Sequence, residues 1–271
     1  MQKMNLHVCA LALLLFGSIA RVHGRAVDIV DDSNDVDNSI ETEAEPVQEE
    51  KPRNRAFDAD WLKFTKTPPT KMLQAEGATV EIVCEMMGSQ VPSIQWVVGH
   101  LPRSELEDLE SNQLSEDAPS AIVRVRSVHI IDHPLSEART YTCVGRSGSK
   151  TIFASTVVHP PRSSRHVAEK TYPGAQKPRI TYTEKTHLDL MGSNILLPCQ
   201  AHAVPRAEVT WFNNENKEIV GGHRFKVLPT GQLMIADIKW EDMGNYKCVA
   251  RNAVGFDTAD TFVYPVLKEQ D

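Results

Sequence analysis

The chain has 271 residues, 41% of them hydrophobic and 24% charged, with a net charge of −7. That apolar fraction suffices for packed cores and excludes a wholly disordered chain. The acidic balance excludes nucleic-acid binding as the main function, because neutralising phosphates needs a concentrated basic face.

The first element in chain order is an address. Lys3 supplies a positive start, and residues 8–20, VCALALLLFGSIA, form an apolar run followed by Val22 and Gly24. That layout predicts a secretory signal peptide over residues 1–24, cleaved after Ala20 or Gly24, and the run is short for a membrane span. No later run is long enough to cross a bilayer, and the tail YPVLKEQD carries no anchor signal. The expectation is a secreted, extracellular protein without membrane insertion. Cys9 leaves with the signal, and Cys84, Cys143, Cys199 and Cys248 remain. An even count in an oxidising compartment predicts two disulfides, with three pairings open.

Residues 25–56 follow, acidic and without aromatic residues or periodicity. They read as a solvated, disordered arm rather than a trap for a basic partner. The chain then repeats itself. Cys84 precedes Trp96 in CEMMGSQVPSIQW, and Cys199 precedes Trp211 in CQAHAVPRAEVTW, with Val91-Pro92 and Val204-Pro205 between. Each repeat closes with Tyr-x-Cys, at Tyr141 and Cys143 and at Tyr246 and Cys248. The repeat divides the chain into domains over 57–162 and 178–268, joined by a polar linker over 163–177 that contains Pro and Gly. Short alternating runs predict strands at ATVEIVCEM, SIQWVV, AIVRVRS, TYTCVG and TIFASTVV in the first repeat. In the second they fall at SNILLPCQA, EVTWF, QLMIADI, NYKCVAR and TADTFVYP. Many short strands at even spacing predict an all-β chain of two tandem sandwiches.

With DMGNYKC at 242–248 and NAVG after it, both repeats resemble immunoglobulin domains. The resemblance implies the pairs Cys84–Cys143 and Cys199–Cys248. It implies Trp96 and Trp211 packed over the sulfurs, and Tyr141 and Tyr246 turned back to the backbone at a corner beside Asp242. The first repeat departs from the pattern: EARTYTC puts Glu137 at the place of Asp242 and Arg139 at the place of Gly244. It is also longer between Trp and Tyr, the excess falling in 103–117, a loop or a short amphipathic helix.

No catalytic constellation is present. His129 and His133 lie near Pro134 and a corner, His223 follows Gly221-Gly222 in a turn, and all mature cysteines are assigned to disulfides. There is no G-x-S-x-G, P-loop or H-E-x-x-H pattern. The expectation is a non-enzyme with no cofactor and no metal. Arg124 and Arg126 on one strand, and Arg162, Arg165, Lys170, Lys177 and Arg179 around the linker, read as solvated surface. Their sharper reading is weak binding of an acidic matrix polysaccharide.

Function on such a fold lives on loops or a sheet face. Period two sends Trp211 inward and Phe212 outward, and Thr261 and Val263 inward with Phe262 and Tyr264 outward. The same count puts Val97, Phe153 and Val157 outward in the first repeat. A shared apolar docking face follows as an expectation. DADWLKFTKTPPTK (58–71), CEMMGSQVPSIQWVVGHLPRSEL, SEARTYTCVGR and KWEDMGNYKC extend the resemblance further. With these the chain resembles the insect neural/ectodermal development factors of the imaginal-morphogenesis-late type. That resemblance implies a secreted binder that sequesters insulin-like peptides and lowers insulin receptor signalling and growth. Its second domain is also similar to the immunoglobulin domain of a vertebrate insulin-like-growth-factor-binding protein. Val97, Phe153, Val157, Phe212, Phe262 and Tyr264 are then the hormone-binding candidates, and a weak homodimer would cover the same apolar face. The alternative is a secreted immunoglobulin-type adhesion or guidance protein of neural or ectodermal development.

Overall fold

Alternation of apolar and polar residues drives the first repeat into strands, and the computed structural model describes residues 60–102, 121–161 and 174–267. The expected signal peptide, the acidic arm, the insert at 103–117 and most of the linker lie outside the described residues. The first repeat contributes β1 (Leu62–Lys66), β2 (Lys71–Leu73), β3 (Val80–Ser89), β4 (Ser93–Val98), β5 (Ile122–Ile131), β6 (Arg139–Ser147) and β7 (Lys150–His159). The second contributes β8 (Gln176–Leu190), β9 (Ile195–Leu197), β10 (Cys199–Val204), β11 (Glu208–Phe212), β12 (Phe225–Val227), β13 (Leu233–Ile235), β14 (Gly244–Asn252) and β15 (Gly255–Val266). A single 3-10 turn, Trp240–Asp242, precedes β14. The fold is all-β, as expected, and each repeat is a two-sheet sandwich.

The cores follow the alternation. In β3, Ile82, Cys84 and Met86 are buried; Cys84 and Met86 pack with Val123, Val125 and Cys143 beneath Trp96, and Ile82 packs with Ile131, Leu135, Tyr141 and Val158. In the second repeat Trp211 lies in a cluster with Leu197, Leu233, Ile235, Ile238 and Val263. Disulfides join Cys84 of β3 to Cys143 of β6, across the two sheets of the first sandwich, and Cys199 of β10 to Cys248 of β14. They close loops separated by 59 and 49 residues, and on the chain-entropy model each stabilises by roughly 4 kcal/mol.

The corner residues do what the motif requires in the second repeat. The Tyr246 hydroxyl donates to the Asp242 carbonyl at 3.0 Å. The Asp242 carboxylate accepts from the Lys239 amide at 2.8 Å and pairs with Arg224. Burial first, and then the Asp242 charge, push the Tyr246 hydroxyl well above the ordinary tyrosine pKa. Gly244 has φ +149°, and a Cβ there would meet Asn214 Cγ at 2.8 Å, so a side chain cannot sit at that step of the motif without moving Asn214. In the first repeat Tyr141 is buried too, but its ring packs 5.1 Å from that of His129, which in turn lies 5.5 Å from Trp96. Trp96 is half-buried and donates its indole N–H to Ser127 Oγ at 2.9 Å.

The two repeats share a sheet through β8. β8 starts at Gln176, inside the stretch expected to be linker, and pairs on both sides. It runs antiparallel to β5, with Ile122 opposite Leu188 and Ser127 opposite Tyr182, and parallel to β15, with Tyr264 beside Leu188. The result is one eight-stranded sheet, β1-β3-β5-β8-β15-β14-β11, with β10 also paired to β8. A four-stranded sheet, β2-β7-β6-β4, completes the first sandwich, and a three-stranded sheet, β12-β13-β9, completes the second.

Candidate functional site: the outer face of the shared sheet

Each candidate residue can be placed by the register. Trp211, Thr261 and Val263 are fully buried, which turns Phe212, Phe262 and Tyr264 to the outer face. Phe262 and Tyr264 retain 37% and 36% exposure, and Phe212 is half-buried. Phe262 opposes Asn245 of β14, and Phe212 opposes Lys247, so one polar strand separates the two phenylalanines.

Val97, Phe153 and Val157 are elsewhere. They belong to β4 and β7 of the four-stranded sheet and are half-buried. The single six-residue face expected from the sequence is therefore not formed. The physical reason is the seam. β8 extends the second sandwich into the β1-β3-β5 sheet of the first, so equivalent strands of the two repeats fall on different sheets.

The shared sheet recruits other residues to the aromatic pair. Trp240, on the 3-10 turn, is 49% exposed, and its ring stands edge-on to Tyr264 at 5.9 Å between centroids. Tyr264 lies 6.5 Å from Phe262. Leu188 sits beside Tyr264 in β8, and Ile122 opposes Leu188 from β5. The row thus crosses from the second repeat into the first. Sequence reasoning missed Trp240 because its turn has no alternation to assign a face. It missed Leu188 because β8 lay unrecognised. The signal that would have found Trp240 is KWEDMG, a large aromatic two residues before the acid of the corner motif.

Charge frames the apolar row. On the β5 side, Arg124 reaches Glu85 at 2.7 Å and Arg126 reaches the same carboxylate at 3.4 Å, so the two arginines expected as free surface cations share one acid. Beside the seam, Arg179 holds Glu81 through two bonds of 2.7 and 2.6 Å and approaches Asp257 at 3.5 Å. The hydrogen bonds to Glu81 are the main cause of the raised pKa of Arg179, which burial opposes. His129, between two aromatic rings, has its pKa lowered by burial and by His133. Among the described residues no group of three His, Cys, Asp or Glu is placed to hold a metal ion, and no helix is long and apolar enough to cross a membrane.

Comparison with known proteins adds the lineage. Residues 177–252 match the immunoglobulin-domain family. The chain is 82% identical to neural/ectodermal development factor IMP-L2 of Drosophila melanogaster, over 99% of each chain. The chain belongs to the IMP-L2 family of neural/ectodermal development factors. A crystal structure of an IMP-L2 protein, 80% identical, superposes with a TM-score of 0.70 over 78% of this chain and 97% of that one. A more distant relative is the zwei Ig domain protein zig-2 of Caenorhabditis elegans, 28% identical over 83% of this chain and 93% of its own. As an IMP-L2 family member the chain is an immunoglobulin-type developmental protein.

Proposed function

We propose that the protein is secreted and sequesters insulin-like peptides, and so antagonises insulin receptor signalling and growth. The reading draws its ligand from the resemblance of the whole chain to the imaginal-morphogenesis-late type of factor. It draws its site from one observation: Phe262 and Tyr264 on the outer face of the shared sheet, with Trp240 on the adjoining 3-10 turn, form a contiguous, partly exposed aromatic cluster. Exposed aromatics clustered on a flat scaffold suit a partner with apolar side chains of its own. Insulin-like hormones are small, disulfide-linked and helical, with apolar residues that their receptor engages. A face that covers those residues blocks the receptor by occlusion. The leader-like run at residues 8–20 supports secretion, as do two disulfides in the described chain.

The experiment is a calorimetric titration of the purified, disulfide-intact protein with a panel of insulin-like peptides, followed by receptor activation in their presence. The reading expects saturable binding to at least one peptide, and receptor activation suppressed in proportion to occupancy. A folded protein that binds none of them overturns it and leaves adhesion or guidance as the function to pursue.

A further inference from the structure

β8 is the one strand among those described that pairs into the sheets of both sandwiches, and its inner face is charged. Glu184, His187 and Asp189 are 1%, 2% and 2% exposed. A strand would put residues three apart on opposite faces. Here the register slips from Arg124–Thr186 to Val125–Glu184, so Lys185 is bulged out and Glu184 and His187 face the same way. His187 Nδ1 lies 2.7 Å from Glu184 Oε2, and Nε2 lies 3.7 Å from Asp189 Oδ2, an ion-pair rather than a hydrogen-bond distance. The Leu190 amide and Ser193 hydroxyl hold the Asp189 carboxylate, donating to Oδ1 at 2.7 and 3.0 Å, and the Thr261 hydroxyl donates to the Glu184 main-chain carbonyl at 2.7 Å.

Two buried carboxylates without a cation are strongly unfavourable, and one imidazolium between them removes much of that cost. The seam has little else to resist such a cost. Each apolar core cluster lies wholly within one repeat. Among the described residues, what crosses between repeats is backbone pairing, the outer-face pair Ile122 and Leu188, and polar contacts: Arg179 to Glu81, the Tyr182 hydroxyl to the Pro92 carbonyl at 3.4 Å, and His202 to Asp132 at 3.5 Å.

We propose that Glu184, His187 and Asp189 form an electrostatic latch, in which a protonated His187 keeps β8 paired to β5. Losing that one charge opens the seam and leaves both sandwiches folded. The groups facing His187 are Glu184 and Asp189 on its own strand, with Tyr182 beyond Glu184. β5 faces it with Val123 and Val125, and β15 with Thr261, Val263 and Pro265, none of which titrates. Burial, and then the Glu184 charge, raise the pKa of the Tyr182 hydroxyl, so it stays neutral through the range that matters.

Hydrogen exchange on the full, disulfide-intact protein tests the latch, with no hormone involved. In His187→Gln, amides of 122–127 and 182–188 should lose about tenfold or more in protection, while those flanking Cys143 and Cys248 keep theirs. Adding Glu184→Gln and Asp189→Asn to the same chain should restore the seam. Unchanged seam protection in His187→Gln, no recovery in the triple variant, or loss of protection throughout both sandwiches overturns the latch. Should His187→Gln not accumulate as folded protein, the unsubstituted chain carries the test by small-angle scattering. Its radius of gyration should hold to about pH 8 and rise reversibly by about pH 10, and a constant radius through that range overturns the proposal.

Discussion

At the scale of the residue, the side chains with the sharpest geometry are those whose polar atoms have a single partner. The Tyr246 hydroxyl has one bond, to the Asp242 carbonyl. Tyr246→Phe removes it and leaves a buried acceptor unsatisfied, so we expect a loss of about 1–2 kcal/mol in denaturant unfolding, with the fold unchanged. Trp240 and Tyr264 sit at the surface and touch each other rather than a core. Their alanine variants should cost about 2 kcal/mol or more in hormone affinity, read by calorimetry, and much less in thermal stability. His187 sets a pH dependence. Burial disfavours its charge, but Glu184 and Asp189 outweigh burial and push its pKa up from 6.5 to about 9. A raised folded pKa means that the stabilisation is fully present below about pH 6.5 and is lost as pH rises through about 9. Unfolding free energy should fall by roughly 3 kcal/mol across that window, and by far less in the triple neutral variant. The motif residues at this scale were legible: Cys, Trp, Tyr and Asp at fixed steps have jobs that their chemistry dictates. Trp240 was not, since a residue in a turn reveals its neighbours only in three dimensions.

At the scale of the element, ten predicted strands correspond to described ones because their inward positions are apolar. EVTWF and SIQWVV coincide with β11 and β4 to the residue. β8 escaped for the opposite reason. Its buried residues include Thr183, Glu184, His187 and Asp189, so hydrophobic alternation is absent where the strand is most buried. Burial there is compensated by pairing of charges, which no periodicity displays. Arg179 and Glu81 bridge the same seam near its other end, but their side chains are 40% and 33% exposed. Solvent screens such a pair, and a double-mutant cycle on Arg179→Ala and Glu81→Ala should give a coupling of no more than about 1 kcal/mol. A much larger coupling would mean that this exposed pair, rather than the buried cluster, carries the seam.

At the scale of the whole molecule, the repeat in the sequence announced two sandwiches, and the pairing of β5 with β8 makes them share a sheet. That pairing decides which residues can act together. Phe262, Tyr264 and Trp240 gain Leu188 as a neighbour, while Val97, Phe153 and Val157 stay on the four-stranded sheet. No rule of composition or spacing within either repeat could reveal this, because it depends on contacts between them. One calorimetric titration with an insulin-like peptide, run on two triple variants, separates the two sheets. One carries Trp240→Ala, Phe262→Ala and Tyr264→Ala; the other carries Val97→Ala, Phe153→Ala and Val157→Ala. The first should lose hormone binding while the second, if folded, retains it. Binding kept by the first variant and lost by a folded second one would move the site to the other sheet.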